Sequence, residues 1–154
     1  MVHHQQVFDA LLPPEQRHRI ADAITAAERL TSGEICVHAT PHCGDNVMDA
    51  AARTFDRLKL YCTERRNAVL IYVVYIDRKL AVLGDSGIND VVPDGYWDDI
   101  VARLSEALAD GRAADGLCEA INDIGRKLAA FFPANRNDVN ELSNDVTYSD
   151  EEYD

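Results

Sequence analysis

The run Gly84-Asp85-Ser86-Gly87 sets one carboxylate between two glycines, directly after an apolar stretch, where an acid can either cap a helix or hold a cation. Glu34 opens the run EICVHAT, Asn67 precedes AVLIYVVYI, and Asp90 and Asp115 follow farther along the chain. Oxygen donors drawn from several loops, amides and backbone carbonyls included, suit hard cations such as calcium or magnesium. The plainer reading assigns Asp85 or Ser86 to the first N–H groups of a short helix Gly87–Val91 and makes Asn67 a turn residue. Arg65 and Arg66, next to Asn67, can bind an anion beside such a site or stand solvated before a strand.

Cys36, His38, His42 and Cys43 form a compact group of soft and borderline donors at short spacing, the kind that holds zinc. Pro41 and strand alternation send these side chains in different directions, which favours surface and core roles for them. His42-Cys43 also opens like the loop of a cysteine phosphatase, but that loop needs an arginine six residues after the cysteine, and position 49 is Asp49. Without the clamp the thiolate cannot hold phosphate. The chain has no GxSxG elbow, no P-loop and no GxGxxG fingerprint, so serine-nucleophile and nucleotide-dependent chemistry are poorly supported.

The elements that must position these residues centre on a hairpin. Two apolar runs, Val69–Ile76 and Leu80–Leu83, flank the polar turn Asp77-Arg78-Lys79. The first run is apolar at nearly every position, as in a strand covered on both faces, so helices are expected on both sides of it. Ala68–Ile76 is far too short to span a bilayer. Pro13-Pro14 opens an amphipathic helix with Ile20, Ala23, Ile24, Ala27 and Leu30 on one face, stopping near Ser32-Gly33. Glu34–Thr40 alternates as a first strand. Asp45 or Asn46 caps a second helix with Met48, Ala51, Ala52, Phe55 and Leu58 inward. Asp94–Leu108 and Ala113–Phe131 carry two further helical stripes, closed by Gly111 and Pro133. Phe8, Leu11 and Leu12 dock on the core ahead of the first helix. The order α, β, α, β, β, α, α with one right-handed crossover makes the first two strands parallel and the third antiparallel. Glu34, Asn67 and Asp85 therefore converge at one end of the sheet, with Asp90 just beyond, while Asp77 and Arg78 lie at the other end.

A chain of 154 residues fits one domain with a single core. The net charge of −12 argues against nucleic acid as a partner, since phosphate binding needs clustered Lys and Arg. Residues 138–154 hold seven of the acids (Asp138, Glu141, Asp145, Asp150, Glu151, Glu152, Asp154) and no base. Composition thus divides the chain into a folded domain, 1–133, and an acidic tail, 134–154, read as a solvated, mostly disordered appendage that serves docking or solubility. MVHHQQVFDALLPPEQ lacks the basic and apolar regions of a secretory signal, so a cytoplasmic location without membrane insertion is expected. The four cysteines show no CxxC pair and are read as free thiols, with Cys36 and Cys118 buried as small apolar residues.

In chain order, Thr31-Ser32-Gly33-Glu34-Ile35-Cys36-Val37, the run ERRNAVLIYV from Glu64 to Val73, Asp77-Arg78-Lys79, Leu83-Gly84-Asp85-Ser86-Gly87-Ile88 and Asp115-Gly116-Leu117 resemble the signature blocks of the TPM domain family. The resemblance covers about residues 10–133. That family includes a thylakoid acid phosphatase, photosystem repair factors, an acetylcholine-receptor modulator and many bacterial proteins. The resemblance implies a three-layer α/β/α sandwich with a small mixed central sheet, in agreement with the element order above. It implies a calcium or magnesium site on the acidic positions of these blocks, Asp85 first, with Glu34, Asn67 and Asp115 behind it. Arg66, Ser86 and Gly87 are the adjoining binding candidates. Phosphatase activity is also implied, although no residue of this sequence must be a phosphate nucleophile. Ala68 stands where many relatives carry Gly, which narrows the backbone's freedom beside the site. Without the signal peptide and membrane helix common in the family, the chain resembles its short soluble bacterial branch, whose members often accompany LemA-type membrane proteins. A membrane-protein partner of LemA type is the implied partner. Two functional classes follow. A divalent-cation-binding interaction module linked to membrane-protein maintenance is favoured, because the residues offer ligands but no nucleophile; the other is a metal-dependent acid phosphatase acting on phosphomonoesters.

Overall fold

The computed structural model describes residues 4–134 and 144–149. Among these residues ten elements follow one another in this order: α1 His4–Leu11, α2 Pro14–Glu28, β1 Glu34–Thr40, α3 Val47–Arg57, β2 Ala68–Val74, β3 Lys79–Gly84, α4 Ser86–Asn89, α5 Asp98–Ala109, α6 Ala113–Phe131 and β4 Thr147–Tyr148. The strands form one sheet in the order β3-β2-β1-β4. β1 and β2 run parallel with Glu34 opposite Ala68, and β2 and β3 run antiparallel with Val69 opposite Gly84. The expected crossover and hairpin are both present, and the sheet is mixed.

Every residue of β2, and every residue of β1, is buried. That follows from helices covering both faces of the sheet. On one face Ile35, Val37, Val69, Ile71 and Val82 pack with Ile20 and Ile24 of α2, Ile100 and Leu104 of α5 and Leu117, Ile121 and Ile124 of α6. On the other, Cys36, Leu70, Tyr72 and Ala81 pack with Ala50, Ala51 and Phe55 of α3. The result is a three-layer α/β/α sandwich. Each fully buried Ile, Leu or Val contributes roughly 1.5–3 kcal/mol over an exposed one. α6 lies tightly against α2: a Cβ added at Gly125 would stand 2.8 Å from the Ala27 Cβ.

Local signals account for most of the boundaries. Pro14 starts α2, where a missing N–H costs nothing. Asn46 caps α3, its side-chain oxygen accepting from the N–H groups of Met48 and Asp49 at 3.0 and 3.1 Å. Arg78 turns the hairpin at φ 58°.

Several expectations need correction. The inward stripe of α3 is Ala50, Ala51, Thr54 and Phe55, with Val47 and Leu58 partly buried, whereas Met48 and Ala52 are exposed. α5 begins at Asp98 rather than Asp94, because Gly95 at φ 75° makes a turn first. Cys118 is only partly buried. Phe8 and Leu12 are buried as expected, but Phe8 belongs to a helix, α1, that the sequence reading left out.

The acidic tail departs furthest from expectation. Residues 144–149 are not a solvated appendage: Thr147 and Tyr148 pair in parallel with His38 and Ala39 of β1, and the Ser149 N–H donates to Ala39 O at 2.9 Å. Tyr148 stacks on Phe8 with ring centroids 4.4 Å apart. The free side of β1 and an apolar ring on α1 recruit this segment in spite of its composition. Asp138, Glu141, Asp150, Glu151, Glu152 and Asp154 lie outside the described residues.

Candidate functional site

The end of the sheet where β1 and β2 begin and β3 ends is built by a short turn ahead of β2. The Arg66 N–H donates to Thr63 O at 3.2 Å, the Asn67 N–H donates to Thr63 Oγ1 at 3.2 Å, and Arg66 adopts φ 52°. This left-handed residue aims its side chain across the turn at the end of β3. There Arg66 grips Asp85 through both nitrogens of its fork, Nε to Oδ2 at 2.7 Å and Nη2 to Oδ1 at 2.9 Å. Such paired charge-assisted bonds are the strongest ordinary polar contacts.

Asp85 is also the N-cap of α4, its Oδ1 accepting from the Ser86 N–H at 2.7 Å. Its side chain is only 5 % exposed, whereas that of Arg66 is 50 % exposed. A buried carboxylate therefore has one half-exposed guanidinium as its counter-charge. The hydrogen bond to Asp85 raises the Arg66 pKa above its ordinary value, against the opposing effect of desolvation.

Gly87 locks the other side of this arrangement. Its N–H donates to Arg66 O at 2.9 Å, and a Cβ there would lie 2.2 Å from Arg65 O and 2.7 Å from Arg66 O. Only glycine lets α4 approach those carbonyls. Asn67 is buried, its carbonyl accepts the Glu34 N–H at 3.3 Å, and its Nδ2 donates to Ser32 Oγ at 3.4 Å. Arg65 Nη1 donates to the same hydroxyl at 3.3 Å.

The expected ligands do not all meet. Asp85 and Asn67 share this end of the sheet with Arg66, Ser86 and Gly87. Glu34 is also there in the backbone, across Ala68 from Asp85, but its carboxyl is hydrogen-bonded to Glu28 on the outer side of β1. Glu28 also accepts the Ile35 N–H at 2.9 Å. Burial, then the Glu34 charge and hydrogen bond, push the Glu28 pKa up to about 8, against the lowering effect of the Ile35 N–H. Asp115 sits in the first turn of α6, where it pairs with Arg19 near the start of α2 at 2.6 Å. β1 begins after the C-terminal end of α2, so Asp115 is at the opposite end of the sandwich from Asp85. Asp90 is the C-cap of α4 and is exposed.

A divalent cation fits this group only in part. Asp85, Asn67 and the Arg65 and Arg66 carbonyls are all oxygen donors, as calcium and magnesium require, but Arg66 holds both Asp85 oxygens. Among the described residues, no three His, Cys, Asp or Glu side chains come together as a metal-holding group.

The Cys/His group is dispersed. Cys36 is buried, and its thiol is pushed up to about 12 by burial and by the Glu28 charge. His38 Nδ1 lies 2.7 Å from Thr147 Oγ1, and Cys43 Sγ donates to Gly44 O. His42 meets Asp77 at the far end of the sheet, Nδ1 to Oδ1 at 2.7 Å, and the Cys43 N–H donates to Asp77 Oδ2 at 3.3 Å. Burial acts to raise the Asp77 pKa, but the His42 bond, the Cys43 N–H and the His42 and Lys79 charges outweigh it and hold Asp77 below its ordinary value. Sequence reasoning placed Asp77 at this end but missed its partner, and it missed Glu28 altogether. Glu28 is seven positions before Ile35, across a turn, and only the folded chain brings the two together.

No helix among the described residues is long and apolar enough to cross a membrane. No curated protein matches the chain. The solved structure of BA42, determined by NMR, from the psychrophilic bacterium Bizionia argentinensis, is 38 % identical to it, with a TM-score of 0.84 over 90 % of this chain and 95 % of that one. The family model described as TPM domain matches residues 6–127, which include Glu34, Arg66, Asn67, Asp85 and Gly87. By that match the chain belongs to the TPM domain family.

Proposed function

We propose that the protein is a non-catalytic TPM-domain interaction module whose Asp85–Arg66 pair is its cation-responsive element. A calcium or magnesium ion competes with the Arg66 guanidinium for the Asp85 carboxylate, with Asn67 and the loop carbonyls supplying further oxygens. The observation that carries this reading is a carboxylate 5 % exposed whose counter-charge, among the described residues, is a single side chain 50 % exposed. Exchanging that counter-charge for a cation frees the guanidinium without leaving the carboxylate unpaired. The partner contemplated is a membrane protein of LemA type, reached from the cytoplasmic side; the four free thiols suit a reducing compartment.

Calorimetric titration with calcium and with magnesium tests the cation. The expected outcome is measurable heat with wild type, none with Asp85→Asn, and tighter binding with Arg66→Gln, which removes the competitor. Asparagine keeps the helix cap, so Asp85→Asn isolates the charge. Absence of heat in both wild type and Arg66→Gln would sink the proposal.

A metal-dependent phosphomonoesterase is the second reading, favoured by the Arg65 guanidinium donating to the Ser32 hydroxyl beside the Arg66–Asp85 pair. In it the cation polarises a phosphoryl oxygen and activates water. Turnover of an aryl phosphate with calcium, magnesium or manganese, abolished in Asp85→Asn, would replace the first reading by this one.

A further inference from the structure

The strand order leaves β3 at one lateral margin of the sheet. In its antiparallel pairing with β2 the Asp85 N–H donates to Ala68 O at 2.9 Å, so alternate residues Leu83, Ala81 and Lys79 also bond inward. Leu80, Val82 and Gly84 consequently direct their backbone N–H and C=O groups outward. Asn89 Nδ2 takes Gly84 O at 3.0 Å; among the described residues nothing takes those of Leu80 and Val82. Proteins ordinarily blunt such a margin with a charge, a proline or a bulge. Here the centre of the strand, Leu80 to Gly84, has none of these.

A groove of about 470 Å³ runs along this margin. Its floor is Leu80 to Gly84, with Met48 on one wall and Tyr96 and Trp97 on the other. Met48, in the first turn of α3, is 47 % exposed. Asp94 and Asp98 form the rim beside Tyr96, and both are exposed. The groove thus combines free strand hydrogen-bonding groups, apolar walls and a negative rim.

We propose that β3 accepts an extended peptide segment of a partner protein as a fifth strand, apolar at alternate positions and carrying Lys or Arg beside Asp94 and Asp98. Main-chain bonds to Leu80 and Val82 supply the pairing, the walls take the alternate apolar side chains, and the acidic rim selects the charge. This surface is distinct from the Asp85–Arg66 pair and does not require a cation.

The test uses the full chain in the presence of a chelator, with two synthetic eight-residue peptides. One alternates Val with Lys and Thr; the other carries Glu in place of each Lys. NMR is expected to show shifts at the Leu80, Val82, Met48, Tyr96 and Trp97 signals with the Lys peptide. Hydrogen exchange at the Leu80 and Val82 amides should slow about tenfold or more, as for newly paired strand groups. The Lys peptide should bind at least about tenfold more tightly than the Glu peptide, and Asp94→Asn with Asp98→Asn should abolish that difference. No shift with either peptide, equal affinity for both in wild type, or shifts confined to β1 and β4 would each overturn the proposal. Because the test runs without free cation, a failed calcium titration does not bear on it.

Discussion

Gly87 and Glu28 show how single residues set the behaviour of the end of the sheet where β1 and β2 begin. A Cβ at position 87 would meet two backbone carbonyls, which cannot rotate away as a side chain would. Gly87→Ala is therefore expected to destabilise the fold by about 1–3 kcal/mol, the usual range for a forced backbone shift. A urea midpoint that does not move would contradict this. Glu28 carries a different consequence, because its carboxyl titrates near 8 in the folded chain against an ordinary value of 4.5. The folded state keeps a proton that the unfolded state releases, so this contribution to stability is full below about pH 4.5 and is lost as pH rises through about 8. Glu28→Gln, which retains an acceptor for the Ile35 N–H, should flatten that decline. The slope removed is at most about 1.4 kcal/mol per pH unit, measurable by denaturation between pH 5 and 9. At this scale the Asp85 cap and the placement of Asn67 ahead of β2 were legible, because a carboxylate before a short helix and an amide before an apolar run are local signals. Arg66 could be named but not its bond, since the left-handed turn that aims it at Asp85 has no signature in its residue types.

The elements were legible where local chemistry is strong and illegible where a distant partner decides. α2 has its prolines, α3 its Asn46 cap and β2 its apolar run, and each can be read without knowing its neighbours. α1 is 8 residues long, too short to hold its shape by propensity alone, and depends on burying Phe8 and Leu12. β4 is 2 residues within an acidic stretch, and no composition rule selects Thr147 and Tyr148 before β1 is in place. These two unforeseen elements support each other through the Phe8–Tyr148 stack, with Tyr75 6.0 Å from Phe8 on another side. Tyr148→Ala should cost about 1–3 kcal/mol through lost stacking and burial. It should also speed amide exchange in α1, although no residue of α1 is changed. Unaltered exchange there would show that α1 is held without the Tyr148 stack.

For the molecule as a whole, the two lateral margins of one sheet have been treated differently. β1 is closed by the chain's own segment 144–149, while β3 is left with a groove and an acidic rim. The fold class and the convergence of Asn67 and Asp85 followed from element order and chain direction. Asp115, which the family resemblance grouped with Asp85, lies elsewhere, and element order alone does not say which end of α6 lies over which end of the sheet. That end is decided by packing, with Gly125 against Ala27 and Leu128 over Gly33. The same packing brings the first and last parts of the folded unit together. Thr31 bridges to Pro133, Ser32 bonds to Phe132, and Phe8 lies face to face with Tyr148. The polypeptide is in this respect nearer to a ring than to a string. A linker from Ser149 back to α1 could close it beside the Phe8–Tyr148 stack, and new ends could be opened at the exposed Arg78 turn, giving a circular permutant of the described residues with the same sandwich.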